Sequence, residues 1–129
     1  QLMWHAAAGN AAFEYEFAHT PAGREALGAI HASDVSYVFG TLEHGIWGVG
    51  PPVRATAVDA PVSEVMQQYW TNFAKSGDPN GEGLPVWPLF SEDEETVLFL
   101  KGAAPVAIAI PNLEKLKFMD EYFRWLRQK

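Results

Sequence analysis

The stretch GAIHASDVSYVFG, residues Gly28 to Gly40, decides how this chain is interpreted. His31 follows a small glycine turn and precedes a run that predicts a short helix, with Ser33 or Asp34 as its N-cap and Gly40 as its end. A general base needs an imidazole on a loop, oriented from one side and free on the other. His31 is therefore a candidate general base, although a packed or surface histidine is the more ordinary interpretation of a lone histidine.

Upstream of the histidine, AFEYEFAH alternates apolar and polar side chains, which predicts a strand. Phe13, Tyr15 and Phe17 share one face of this strand. Glu14 and Glu16 share the other face, and glycosidases do use such carboxylate pairs. A polar face opposite an aromatic one explains the two glutamates more simply, and we favour that interpretation.

Two helices follow from the 3.6-residue period of the apolar residues. The clearer one starts near Asp59 and Pro61, ends near Gly77 and Pro79, and has an apolar face formed by Val62, Val65, Met66, Tyr69, Trp70 and Phe73. The last one begins at Asn112, the predicted N-cap, and its apolar face is formed by Leu113, Leu116, Met119, Tyr122, Phe123 and Leu126.

TVLFLK and VAIAIP predict two short strands, and the first residues predict the end of a helix that is stopped by Gly9. The order strand, helix, helix, two strands, helix indicates an α/β fold. One central strand and a small pair form too little sheet to cover two long amphipathic helices. We therefore expect residues 1–129 to be one segment of a single larger domain, with the remainder outside this chain.

The composition excludes several classes of partner and site. The net charge is −7, so the chain repels phosphate backbones and anionic lipid surfaces, and we expect neither nucleic acid nor a membrane as partner. The chain has no cysteine, which excludes disulfides and thiolate metal sites. The four histidines show no metal-ligand spacing, and we expect no metal and no cofactor. The sequence leaves the localisation open.

Two further motifs match binding signatures only in part, and a third is a run of acidic residues. DPNGEG opens like a calcium loop at Asp78, but Leu89 stands where the closing acidic ligand belongs, so a structural turn is favoured. GIWGVG lacks the lysine of a phosphate loop and predicts an ordinary loop. SEDEE, from Ser91 to Glu95, predicts a solvated charged loop. The sequence contains no G-x-S-x-G elbow and no cysteine, so it offers no nucleophile for His31 to activate.

The histidine segment resembles that of the type-B carboxylesterases, the family that includes bacterial para-nitrobenzyl esterases and the cholinesterases. The family pattern is Gly-x-x-His, two small or aromatic residues, Glu, a three-residue spacer and Val-Phe-Gly, and this chain matches it at Gly28, His31, Val38, Phe39 and Gly40. A second block, MQQYWTNFAKSGDPNGEGLPVWPLF, resembles the family's helix, its Gly-Asp-Pro-Asn turn and its Trp-Pro. With the strand before the histidine and a C-terminal helix, the likeness covers nearly the whole chain.

The resemblance implies the C-terminal part of an α/β-hydrolase fold: the last central strands, the histidine loop and the flanking helices. It implies that His31 is the triad histidine, while the serine, the triad acid and the oxyanion loop lie upstream. Asp34 stands where the family has glutamate. Its implied role is that of a buried supporting group, not of the triad acid. Ile30 and Ser33 flank the histidine and are candidate contacts of the substrate pocket. The absence of cysteine fits bacterial members better than secreted animal members.

Three interpretations remain open at this point. In the first, the chain is a segment of a serine carboxylesterase that hydrolyses small-molecule carboxylic esters through an acyl-enzyme. It then needs the N-terminal remainder of the same esterase as its partner, continuous or as a nicked chain, and is inactive alone. In the second, the chain belongs to a catalytically inactive, cholinesterase-like binding or adhesion module. In the third, it is a free-standing small α/β domain, which a cooperative melt of the chain alone would support. The sequence does not define the ester or the oligomeric state.

Overall fold

The computed structural model describes residues 2–45, 54–91 and 94–129. In these ranges the chain forms three strands and four α-helices, in the order that the sequence predicts. They are α1 (Leu2–Ala7), β1 (Tyr15–Phe17), α2 (Val35–Val38), α3 (Asp59–Ser76), β2 (Thr96–Leu100), β3 (Val106–Ala109) and α4 (Leu113–Leu126).

The strands form one mixed sheet in the order β1-β2-β3. β1 runs parallel to β2, with Tyr15 opposite Leu98 and Phe17 opposite Leu100, whereas β3 is antiparallel to β2. Among the described strands, β1 therefore lies at one edge of the sheet and β2 between the other two. β2 is central because both of its edges are paired, and its Val97, Leu98 and Leu100 are buried.

β1 is shorter than the predicted strand, but its faces are as predicted. The N–H groups of Ala18 and His19 both donate to the carbonyl of Leu100, at 2.9 and 3.0 Å, and this shared acceptor ends the regular ladder. Phe13, Tyr15 and Phe17 pack against the core, while Glu16 is exposed and Glu14 is half-buried. The interpretation of the two glutamates as a polar face is therefore confirmed.

α3 lies against the sheet and has the predicted bounds to within two residues. Its Val62, Met66 and Tyr69 are completely buried and join Leu98 and Leu100 in the core. Burying each such side chain contributes about 1.5 to 3 kcal/mol relative to leaving it in water. The helix ends at Gly77, which has φ 77° and donates its N–H to the carbonyl of Phe73 at 2.8 Å.

Trp87 ties the segment after α3 to the start of β1. Its indole Nε1–H donates to the carbonyl of Glu14 at 2.9 Å, and its side chain is nearly completely buried. Four other aromatic rings surround it with centroids 5.3 to 6.1 Å away: Phe13, Tyr15, Tyr69 and Trp70. Tilted and edge-to-face contacts at these distances add stability beyond simple burial.

α4 has the predicted bounds but leaves its apolar face uncovered. Its large apolar side chains are 42 to 66% exposed at Leu116, Phe118, Met119, Tyr122, Phe123, Trp125 and Leu126. Asn112 occupies the N-cap position, but the predicted side-chain cap is wrong. The reason is its left-handed backbone, φ 57°, because a capping side chain reaches the first turn from an extended backbone. Within the described ranges, no helix combines the length and apolar character that crossing a membrane requires.

We expect Gly77→Ala to lower the free energy of unfolding by about 1 to 2 kcal/mol, because alanine resists the left-handed backbone. A Cβ at this position would meet nothing within 4 Å, so the loss would come from the backbone alone. Gly102→Ala is the matched control, since its Cβ is equally free and its φ is not positive. Urea denaturation followed by circular dichroism measures both, and equal effects would contradict the explanation.

Candidate active site

His31 lies on the loop between β1 and α2, with an exposed side chain. A tight turn surrounds it: the N–H of Ser33 donates to the carbonyl of Ile30 at 3.1 Å, and that of Val35 donates to Ala32 at 3.2 Å. Ala32 has φ 64°, a left-handed conformation that non-glycine residues seldom adopt and that is concentrated at functional sites. The loop position is as the sequence predicts, and the catalytic role of His31 stays a prediction.

Within the described residues, both ring nitrogens of His31 are without a partner. No hydrogen bond or ion pair joins its ring to any residue in the described ranges. Of its predicted neighbours in the pocket, Ile30 is half-buried and Ser33 is almost completely buried. Among these three side chains, His31 is thus the one that the described residues leave exposed and unpaired.

Asp34 connects the histidine loop to β1. Its Oδ2 accepts a hydrogen bond from the Tyr15 hydroxyl at 2.7 Å. Burial, this bond and the nearby carboxylate raise the pKa of Tyr15 well above its ordinary value, so the phenol remains a donor. The expectation that the side chain of Asp34 caps α2 is wrong, because the carboxylate is engaged by Tyr15. Of the two predicted N-cap residues, Asp34 and not Ser33 occupies that position, without a capping hydrogen bond from its side chain.

A second carboxylate, Asp59, lies at the base of the same loop. Its Oδ1 accepts hydrogen bonds from Nε2 of His19 at 2.9 Å and from the Tyr37 hydroxyl at 2.6 Å. Its Oδ2 accepts from the N–H and the hydroxyl of Thr56, at 2.7 and 2.8 Å. Burial acts to raise the pKa of Asp59, but the hydrogen bonds from Tyr37, Thr56 and His19 outweigh it and hold that pKa below its ordinary value.

The sequence pattern does not indicate this arrangement. It predicts a helix that starts at Asp59 and a strand that ends at His19. α3 does begin at Asp59, whereas β1 ends at Phe17, two residues before His19. No local pattern indicates that the two side chains meet. The sequence offers one hint: His19 and Asp59 are polar residues at the ends of apolar segments, and a polar side chain that becomes buried there needs a hydrogen-bond partner.

The other motifs form ordinary structure in the part of the chain that is described. Asp78 accepts two hydrogen bonds from Asn80, both at 2.9 Å, and Asn80 in turn accepts from the N–H of Trp87 at 2.7 Å, which confirms a structural turn. Glu95 of SEDEE pairs with Lys117 at 2.7 Å. Most of GIWGVG, and the pair 92–93 of SEDEE, lie outside the described residues. Across the described ranges, no group of three or more potential metal ligands comes together.

Solved structures define the class of this fold. The chain superposes on a para-nitrobenzyl (PNB) esterase with a TM-score of 0.66 and 26% identity, over 83% of this chain and 21% of that one. It superposes on the carboxylesterase EST55 of Geobacillus stearothermophilus with a TM-score of 0.64 and 27% identity, over 87% of this chain and 22% of that one. These neighbours are α/β-hydrolase-fold esterases, so the predicted fold class is confirmed.

Sequence relatives then define the family. The profile of the carboxylesterase family matches residues 2–118. Carboxylesterase 5A of Felis catus is 35% identical over 131 residues, which cover 95% of this chain and 22% of the relative. The medium-chain fatty acyl-CoA hydrolase precursor of Anas platyrhynchos is 40% identical over 95 residues, which cover 70% of this chain and 16% of the relative. The chain belongs to the carboxylesterase family and spans about a fifth of the length of these relatives.

We expect acid to weaken the fold through Asp59. A carboxyl whose folded pKa lies below its ordinary value of 3.8 stabilises the protein above that value, and the contribution is lost as the pH falls through the folded pKa. The free energy of unfolding should therefore fall below about pH 4. Asp59→Asn should remove this acid-dependent part and cost about 1 to 3 kcal/mol near neutral pH.

Urea denaturation at a series of pH values measures both effects. Asp120→Asn is the control, because this acid is exposed and its pair with Arg124 is a surface contact. Asp120→Asn should leave the pH dependence of the free energy of unfolding unchanged. If Asp59→Asn also leaves it unchanged, the assignment to Asp59 is wrong.

Proposed function

We propose that this chain supplies the triad histidine of a serine carboxylesterase, which hydrolyses carboxylic esters through an acyl-enzyme. One observation carries the proposal: in a chain of the carboxylesterase family, His31 is exposed on the loop after β1 with no partner in the described residues. The family and the esterase structures support ester hydrolysis as the reaction.

In this mechanism His31 acts twice in each half-reaction. It takes the proton of the serine hydroxyl as the serine oxygen attacks the ester carbonyl, and it returns that proton to the leaving alcohol. Water then attacks the acyl carbonyl as His31 accepts its proton, and His31 returns that proton to the serine oxygen as the bond between the acyl group and serine breaks and the carboxylic acid leaves. The free nitrogens of His31 suit this role, since one must face an orienting acid and the other the serine.

The serine, the triad acid and the oxyanion donors belong, in this proposal, to the N-terminal remainder of the same esterase. Two observations support such a partner: the relatives are about five times as long as the segment they share with this chain, and the apolar face of α4 is uncovered. Asp34 fixes the turn that carries His31 by its hydrogen bond with the Tyr15 hydroxyl. Ile30 and Ser33 contribute, in this proposal, to the wall of the substrate pocket.

The test is His31→Gln in the complete protein that contains this chain. We expect kcat for para-nitrophenyl acetate to fall by about 10³-fold or more, because the general base is lost. His44→Gln is the matched control, since the side chain of His44 is 74% exposed and its contact is an exposed glutamate. An unchanged kcat in His31→Gln would refute the assigned role. Absence of ester hydrolysis and of serine labelling by a fluorophosphonate in the unchanged protein would favour the inactive binding module.

We also expect the 129-residue chain on its own to be inactive. An imidazole without its serine and oxyanion donors has only the reactivity of a free base. The measurement is the rate of para-nitrophenyl acetate hydrolysis against free imidazole at equal concentration. A rate well above that of imidazole would show that the chain holds a complete site, and the division of roles would be wrong.

A further inference from the structure

We infer that Asp59 is a positioning residue for His31, because its carboxylate fastens both ends of the loop that carries the histidine. The consequence for catalysis rests on the proposed function, whereas the fastening of the loop does not. Asp59 itself is in the first turn of α3, outside the loop, is completely buried, and forms its hydrogen bonds with His19, Tyr37 and Thr56.

The fastening is made by a single oxygen atom. The loop leaves the sheet at His19 and returns to the core at Tyr37. Nε2 of His19 and the hydroxyl of Tyr37 both donate to Oδ1 of Asp59, at 2.9 and 2.6 Å. The exposed fractions of His19, Tyr37 and Asp59 are 8%, 0% and 0%, so water does not compete for these bonds. Both ends of the loop are therefore held to one point.

The carboxylate of Asp59 is itself held in place, and His19 and Tyr37, the two ends of the loop, each form a further hydrogen bond. Thr56 holds the other carboxylate oxygen of Asp59 with two hydrogen bonds. His19 places its second ring nitrogen, Nδ1, 3.2 Å from the carbonyl of Lys101, at the end of β2. The carbonyl of Tyr37 accepts a hydrogen bond from the Ser63 hydroxyl at 2.7 Å. The bonds of Asp59 thus join the sheet, α2 and α3 at the base of the histidine loop.

The loop needs such a fastening. α2 is only four residues long, far below the length at which a helix persists without tertiary contacts. Closing the ends of a loop reduces the conformations that its middle can adopt. When the Tyr37 hydroxyl loses Asp59, α2 keeps the Ser63 bond but loses its tie to the start of α3, so we expect α2, Asp34 and the turn around His31 to shift more easily. Misplacing a catalytic group by about 1 Å can cost up to about 10²-fold in rate.

The choice of variant follows from the burial of the network. Replacing Asp59 would disturb all four of its hydrogen bonds at once, so an effect on loop position could not be separated from the loss of stability expected for Asp59→Asn. Tyr37→Phe removes one donor and keeps the ring in the core. Tyr69→Phe is the matched control, because Tyr69 is equally buried and also loses one hydrogen bond of 2.6 Å, to the carbonyl of Pro85, away from the histidine loop.

The experiment compares these variants in the complete protein that contains this chain. We expect Tyr37→Phe to increase amide hydrogen exchange in residues 20–36 and to lower kcat for para-nitrophenyl acetate about 10-fold. KM should change less than about twofold, since His31 acts in the chemical step. Tyr69→Phe should lower the thermal midpoint by a similar amount but leave kcat and the exchange of the loop unchanged. His19→Leu, which releases the other end of the loop, should reproduce the effects of Tyr37→Phe.

Two results would overturn the inference: unchanged loop exchange in Tyr37→Phe, or an equal loss of kcat in Tyr69→Phe, which would make the effect one of general stability. The proposed function fails separately, when the unchanged protein hydrolyses no ester. In that case the exchange measurement still decides whether Asp59 fastens the loop, because it does not depend on activity.

Discussion

The carboxylate of Asp59 is the point at which the sheet, α2 and α3 are joined by hydrogen bonds. It accepts four, from His19, Tyr37 and Thr56, in a place that water does not reach. A buried charge is costly unless every lone pair is engaged, and here each oxygen receives two donors. The histidine loop, the short helix after it and the start of the long helix therefore take their positions from the same group.

The features that local patterns control were predictable from sequence. The period of the apolar residues gave the bounds of α3 and α4, and alternation gave the faces of β1, because these signals depend on neighbouring residues. The spacing of His31 to Val38, Phe39 and Gly40 led to the carboxylesterase family, which the family profile and the solved structures confirm.

The features that depend on distant residues were not predictable. Asp34 sits where a cap belongs, but Tyr15 from another element engages its carboxylate. Asn112 occupies the predicted N-cap position, but its backbone is left-handed, which the residue type alone does not determine. The pairing of β1 with the edge of β2, and the meeting of His19 with Asp59, are decided by how the elements pack. These are also the features that shape the candidate site.

The pairing of β1 with β2 has a consequence for the order of events during synthesis. His19 contacts the carbonyl of Lys101, 82 positions later in the sequence, and Trp87 contacts Glu14 across 73 positions. Contacts between such distant residues form late, because a long loop must close first. The residues on both sides of His31 leave the ribosome well before the strand that anchors them. The histidine loop is therefore completed only when β2 has been made, which makes it one of the last parts of the chain to reach its working geometry.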